Sequence, residues 1–336
     1  MTKKIIRGLE VCVLIMVTLL ITLSINASIN AYDKEHNTNY RYHFQVILDK
    51  DMDIANRGKL VEGIYKAAEE ERVFIELVEA IDSSNKEELL DKAIYSRVEG
   101  IAYSATSKKV ANTLGNKADA VDIPMVNYGL TADSFDNVFS IHDSPNNIAS
   151  SMANNVNRLI KGKKFNKKGQ ILVFLKECDS RDVHNNDKFV DGFSKEIDAK
   201  YKQFVKFIRV DAKGYDVNSK LKSQIKNNKQ AKVIVCFDKE YTNVASSLYN
   251  GGSNKRRPVI VGYEDTINNI KALQDKNIDL LVNVKKSSIG YNLVKALCSL
   301  QKESKINKSK YVPVFQVIQL DSSNKVKYQD FVVSNK

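Results

Sequence analysis

Short apolar runs alternate with amphipathic stretches along most of the chain, and the alternation begins at FQVIL (Phe44 to Leu48). A polar loop, Asp49 to Asp53, follows. Beyond it Leu60, Val61, Ile64, Ala67 and Ala68 recur at three-and-four spacing, which predicts a helix with one buried stripe. A second apolar run, VFIELV (Val73 to Val78), precedes a helical stretch with Leu89, Leu90, Ala93 and Ile94, and a third, GIAYS, ends at Ser104. Strand, helix, strand, helix, strand in this order predicts a parallel sheet, because parallel neighbours need a crossover long enough to hold a helix.

The unit continues through a helical stretch (Lys108 to Ala120) to IPMVNYG (Ile123 to Gly129) and a short strand, NVFSIHD (Asn137 to Asp143). A helix from Asn147 to Ile160 leads out of it. The alternation then restarts. Strands QILVFL (Gln170 to Leu175), VKFIRV (Val205 to Val210), KVIVCF (Lys232 to Phe237) and PVIVGY (Pro258 to Tyr263) are separated by helices, one holding Phe189, Phe193 and Ile197, then Val217 to Lys226 and Tyr241 to Tyr249. A helix near Thr266 to Asp275, a strand IDLLVNV (Ile278 to Val284), a helix Ile289 to Gln301 and a closing strand VFQVIQL (Val314 to Leu320) finish the pattern. The two halves repeat one order of elements, which implies two lobes.

Ahead of this body stands a different kind of sequence. Lys3, Lys4 and Arg7 precede an uncharged run from Val11 to Ile25, extended by Ala27 and Ile29 to about the length a bilayer needs. The positive end belongs on the cytoplasmic side, with the body outside. Ser24 to Ala31 makes a poor cleavage site, since Ile takes the minus-three position when either alanine is minus-one, so an uncleaved anchor is favoured over a cleaved signal. Cys12 lies at the beginning of the apolar run, where a lipoprotein signal would have its cysteine at the end.

Composition narrows the function. A formal charge of +12 raises the question of nucleic acid, but the lysines are dispersed and their densest runs, Lys161 to Lys168 and Lys255 to Arg257, fall in surface turns. An apolar N-terminus also leaves no room for a helix-turn-helix, so no nucleic-acid partner is expected. Four cysteines are too few and too scattered for a disulfide scaffold or a zinc site; Cys178 and Cys236 fall near strand ends, yet Cys236 and Cys298 read as buried thiols. No phosphate-binding glycine loop occurs, and His36, His43, His142 and His184 lack metal-ligand spacing. His142 beside Asp143 has no nucleophile paired with it. An enzyme is not expected, and no cofactor is called for.

Four local patterns, in order and at consistent spacing, carry a resemblance. VEGIAYS (Val98 to Ser104) is similar to a "VDGIII" strand, and DIPMVNYG (Asp122 to Gly129) to a "gIPvv" strand with Pro124 in place. VIVCFD (Val233 to Asp238) resembles a strand ending in an acid, and VIVGYED (Val259 to Asp265) a "vvGfD" strand. Together they resemble the type I periplasmic-binding-protein family, the ribose-binding proteins and their relatives, over about residues 42 to 333. The resemblance implies an α/β fold of two doubly wound parallel-sheet lobes joined by a three-strand hinge, here with an N-terminal transmembrane helix added. Crossings would fall near Ile141 to Ser144, Val284 to Ser287 and Val314 to Ile318. The expected parts are a signal-anchor (1–31), a spacer (32–41), an N-terminal lobe (42–142 with 287–315) and a C-terminal lobe (143–286 with 316–333). Ligands then sit in the cleft at the carboxyl ends of the strands.

Carried over position by position, the resemblance is incomplete. The acid and arginine that commonly follow the "gIPvv" strand are replaced by Gly129 and Leu130. Phe237 stands where the second lobe often has an asparagine, Asp238 keeps the acid, Glu264 replaces the aspartate of "GfD", and Lys285 falls where the hinge often presents a glutamine. The arginine of the second lobe's first helix falls near Asp187, with Arg181 in the preceding loop a substitute. A sugar needs polar side chains that hold hydroxyls and an apolar ring to stack on. Candidate polar contacts are Asp51, Asp53, Ser104, Arg181, Asp187, Asp238, Glu264 and Lys285; candidate rings are Tyr103, Tyr128, Phe237 and Tyr263. Asp51 or Asp53 equally suits the cap of the first helix.

The expected function is a membrane-anchored, extracytoplasmic solute-binding protein. It senses a small molecule, a monosaccharide above all, by lobe closure and signals to a membrane partner such as a two-component histidine kinase. The anchor argues for sensing; the alternatives are the receptor of an ATP-driven importer with its permease, and an interaction module that has lost its ligand.

Overall fold

The structure, a computed structural model, describes residues 40–50, 52–104, 108–129, 138–142, 144–162, 165, 169–177, 180–211, 216–249, 257–303 and 306–331. The apolar N-terminal run and most of the spacer lie outside the described residues. Among the described residues no helix is long and apolar enough to cross a membrane.

Two sheets organise the chain. The first is parallel, in the order β2-β1-β3-β4-β5, built from β1 (Tyr42–Asp49), β2 (Val73–Ala80), β3 (Gly100–Tyr103), β4 (Met125–Gly129) and β5 (Phe139–His142). The second runs β12-β11-β10-β9-β8-β6-β7, with β6 (Gln170–Glu177), β7 (Val205–Asp211), β8 (Ala231–Cys236), β9 (Val259–Tyr263) and β10 (Leu280–Val284) parallel. Its first five strands repeat the order of the first sheet. β11 (Phe315–Leu320) and β12 (Val326–Phe331) are then added antiparallel at the β10 edge. The sequence pattern ends at Leu320, so β12 is a correction. Its burial does not alternate, leaving Lys327, Tyr328, Gln329 and Asp330 exposed in a row, and an exposed edge strand writes little apolar periodicity into the sequence.

The connecting helices are α1 (Ile54–Glu71), α2 (Ser83–Tyr95) and α3 (Lys108–Asp119) around the first sheet. Around the second stand α4 (Pro145–Ile160), α5 (Ser180–Glu196), the single turn α6 (Ala199–Lys202), α7 (Val217–Asn227), α8 (Lys239–Ser247) and α9 (Ile267–Gln274). α10 (Lys286–Leu300) follows β10 yet packs against α1 and lies near β3, β4 and β5, so the chain returns to the first sheet before it enters β11. One core runs from Phe44, Val46 and Leu48 of β1 through Leu293 and Leu297 of α10 to Ile171, Val173 and Leu175 of β6. Separate cores cover the other face of each sheet. Cys236 and Cys298 are free and buried, and burial pushes the Cys298 thiol up to about 11.

The α1–α10 contact is closer than side chains allow. A Cβ on Gly63 would strike the carbonyl of Ser287, and one on Gly290 would strike the carbonyl of Leu60. Beside these glycines Lys295 bridges Glu70 and Glu71 at 2.9 and 2.7 Å, and the Tyr291 hydroxyl donates to Glu70 at 2.6 Å. Gly290→Ala is expected to destabilise the protein by about 1–3 kcal/mol through overpacking against backbone. Urea unfolding checks it, and an unchanged midpoint would show that the two helices can separate freely.

Candidate functional site

The carboxyl ends of the parallel strands in the two sheets carry the site. In the first sheet the end of β1 leads directly into α1. Asp53 caps that helix, its Oδ1 accepting from the amides of Ala55 and Asn56 at 3.1 and 3.2 Å. One oxygen of this side chain is therefore engaged by backbone. Asp51 lies outside the described residues.

Asp49, the last residue of β1, is held from beneath by Lys86 in the first turn of α2. The Lys86 Nζ lies 2.5 Å from Asp49 Oδ1 and donates to the Ser104 carbonyl at 2.6 Å, and the lysine is only 2% exposed. A buried ammonium is tolerable when paired in this way, and here it ties the ends of β1 and β3 together. Ser104 thus takes part through its carbonyl. Tyr103 is buried, and desolvation pushes its phenol far up. Tyr128, also buried, donates its hydroxyl to the Ile47 carbonyl at 2.7 Å. Burial raises its pKa well above the ordinary value, the charge of Asp49 adds to the rise, and Arg57 opposes it.

In the second sheet Phe237 closes the end of β8. Its ring lies 4.2 Å from Phe189 and 5.5 Å from Tyr263, centroid to centroid, so it belongs to an aromatic cluster and is 7% exposed. Asp238 caps α8, accepting from the amides of Glu240 and Tyr241 at 2.8 and 3.1 Å. Lys176, at the end of β6, stands 3.8 Å from the same carboxylate. Asp187 pairs with Arg209 of β7 at 2.6 Å on the surface, and the Arg181 side chain lies outside the described residues, as does Leu130. Lys285 donates to Asp330 of β12 at 2.8 Å, while its amide donates to the Val314 carbonyl at 2.8 Å; it joins two of the crossings.

Two polar contacts bridge the sheets. Glu264 sits in the left-handed region at φ 63° and accepts from Asn56 Nδ2 at 3.3 Å. Its neighbour Asp265, nearly buried, pairs with Lys59 at 2.5 Å. Both partners come from the first two turns of α1. Asn56, Lys59, Asp265, Asp49 and Lys86 are absent from the sequence-derived candidates. Asn56 and Lys86 carried a readable sign: Asn56 falls on the stripe with Leu60 and Gly63, and Lys86 on the stripe with Leu90 and Ala93, where a polar residue needs a partner.

Elsewhere, a hollow of about 670 Å³ lined by Phe165, Gln170, Gln203, Phe204 and Lys206 lies at the opposite ends of β6 and β7 and does not join this site. Among the described residues no group of His, Cys, Asp and Glu is placed to hold a metal ion.

Two doubly wound lobes with facing carboxyl edges, joined through β5, β10 and β11, define a two-lobed binding protein. The family model described as periplasmic binding protein domain matches residues 50–305, and the chain belongs to this family, with the type I two-lobed fold. No curated protein matches the chain. Among solved structures, a glucose-galactose binding protein, GanP, from Geobacillus stearothermophilus aligns with a TM-score of 0.67 at 15% identity, over 83% of this chain and 97% of its own. An ABC transporter solute binding protein from Actinobacillus succinogenes with bound D-allose has a TM-score of 0.67 at 13% identity, over 83% and 98%. A putative LacI transcriptional regulator from Bacteroides fragilis has a TM-score of 0.64 at 13% identity, over 83% and 96%.

Burial raises the Asp238 carboxyl above its ordinary 3.8, more than Lys176 and the two cap bonds lower it. The folded protein therefore holds this proton more tightly than the unfolded chain. The resulting stability is fully present below pH 3.8 and is lost as pH rises through the elevated value. Asp238→Asn, which keeps the cap, is expected to remove that fall; urea midpoints measured across the acid range for both proteins check it.

Proposed function

We propose that the protein binds a small solute, a monosaccharide above all, outside the cytoplasm and signals its occupancy to a membrane partner such as a two-component histidine kinase. The observation that carries the reading is the pair of contacts from α1 to the end of β9, Lys59 with Asp265 and Asn56 with Glu264. They join the two lobes across the cleft, next to the position that answers to the family's ligand-holding acid. The moving units are residues 42–142 with 287–315 and residues 143–286 with 316–333. Closure of one unit on the other changes the surface they present jointly, and ligand shifts the balance between open and closed forms.

The apolar run from Val11 to Ile25 supports a single-pass anchor with the body on the extracytoplasmic side. An anchored receptor stays beside its partner. A second reading, the receptor of an ATP-driven importer, draws support from relatives described as ABC transporter binding proteins, one of them from Burkholderia graminis in complex with D-arabinose.

Calorimetry of the full chain in mild detergent against pentoses, hexoses and inositols is expected to reveal a ligand; silence across the panel would leave an interaction module without one. Affinity capture from solubilised native membranes distinguishes the partners. A histidine kinase is expected, whereas a permease with its ATPase would establish the importer reading. Lys59→Met removes the charged link between lobes, and small-angle scattering of the ligand-free protein is expected to show a larger radius of gyration than wild type. An equal radius would mean that the pair does not hold the lobes together.

A further inference from the structure

β2 ends the first sheet, and no described strand pairs with its outer side. We infer that two copies of the chain join through this edge, β2 against β2 in antiparallel order, so that two N-terminal lobes share one continuous sheet. The surface lies outside the cleft, and the inference stands whether or not the cleft holds a ligand.

The backbone of β2 is the first support. The Arg72 and Ala80 carbonyls accept from the amides of Arg41 and Lys50 at 2.7 and 3.0 Å, on the β1 side. Backbone groups alternate sides along a strand, so Phe74, Glu76 and Val78 also turn toward β1, while Ile75, Leu77 and Glu79 turn outward. An outward row of this kind is a template for another strand, and folded proteins guard it with lysine, proline, a bulge or short length. β2 has none of these guards. It runs for eight residues, VFIELVEA, and its register with β1 is unbroken. The other edges differ, since β5 has only four residues, β7 exposes Lys206 and Arg209, and β12 exposes Lys327.

Side chains supply the second support. Phe74 is 44% exposed, and the rings of Tyr40 and His43 lie 5.6 and 4.9 Å from it, centroid to centroid, forming an aromatic patch along the edge. Both acids of the strand are engaged within their own lobe: Glu76 stands 3.2 Å from His43 Nε2, and Glu79 pairs with Arg57.

Charge then selects the register. Centring the pair on Leu77 sets Glu76 opposite Val78, Glu79 opposite Ile75 and Phe74 opposite the small Ala80, and it carries Arg72 of each copy toward Asp82 of the other. Moving the centre to Glu76 would set that acid against its own copy, which is destabilising. The register centred on Leu77 is therefore complementary to itself, as a two-fold interface must be. Its axis stands perpendicular to the shared sheet, so two chains anchored in one bilayer can pair with their amino termini at equal height.

Disulfide trapping of the full chain in its native membrane tests the pairing. Leu77→Cys sets two thiols at facing positions with Cα atoms about 5.5 Å apart, within the reach of a disulfide. Mild oxidation is expected to yield a covalent homodimer well above the level given by wild type, which has four cysteines, or by Lys206→Cys on the edge of the other sheet. Trapping no higher than in these controls overturns the inference. A covalent adduct with a different protein also overturns it and gives the edge to that partner. Phe74→Lys alters an exposed side chain and places the missing guard on the edge. Sedimentation in mild detergent is expected to show a wild-type dimer whose dissociation constant rises about 5-fold or more in this variant. A monomeric wild type, or equal association of the two proteins, refutes the pairing, and this measurement decides the matter if Leu77→Cys does not fold.

Discussion

The contact between α1 and α10 is set by backbone. Gly63 and Gly290 let each helix lie against a carbonyl of the other, and no side chain can be inserted at either position without moving a helix. Because α10 begins, at Lys286, 215 positions after α1 ends, at Glu71, the constraint is long-range. It draws the chain back to the first lobe after the second sheet is nearly complete. The second and third crossings, at β10 and β11, exist because α10 must reach this groove. The same helix α1 then carries Asn56 and Lys59 on its first turns, facing the second lobe. Its position relative to α10 therefore governs where the cross-cleft contacts meet.

The fold was largely legible in the pattern of apolar positions. Strand cores such as Ile171 to Leu175 and Val233 to Cys236 are buried on both faces and write uninterrupted apolar runs, and α1 and α4 write clear stripes. β12 left no such mark, since most of its side chains face solvent. The site was less legible. Asp53 and Asp238 drew attention as acids after strands, and the structure uses both as helix caps. Phe237 drew attention as a ring for stacking, and the structure sets it in an aromatic cluster with Phe189 and Tyr263. Local spacing identifies loops but does not reveal which partner a loop side chain meets.

The residues that sequence reasoning passed over are those whose partners lie far along the chain. Lys59 meets Asp265 and Asn56 meets Glu264 across more than 200 positions. Asp49 stood inside a loop already noted for its acids, yet its pairing with Lys86 needs the α2 helix to pack beneath β1. Polar residues on apolar stripes were the available sign, because burial of an amide or ammonium is costly without a partner.

Synthesis order gives the return of α10 a different meaning. The five parallel strands of the second sheet are complete once Val284 has emerged, whereas the first lobe lacks the helix that covers Leu60 and Ile64 until Leu300 follows. Domains commonly mature from the N-terminus as they leave the ribosome or the translocon. Here the parallel core of the later segment is in place before α10 exists, and α1 keeps an apolar groove open over the 215 positions from Glu71 to Lys286. That interval is the window in which a holding chaperone has most to protect.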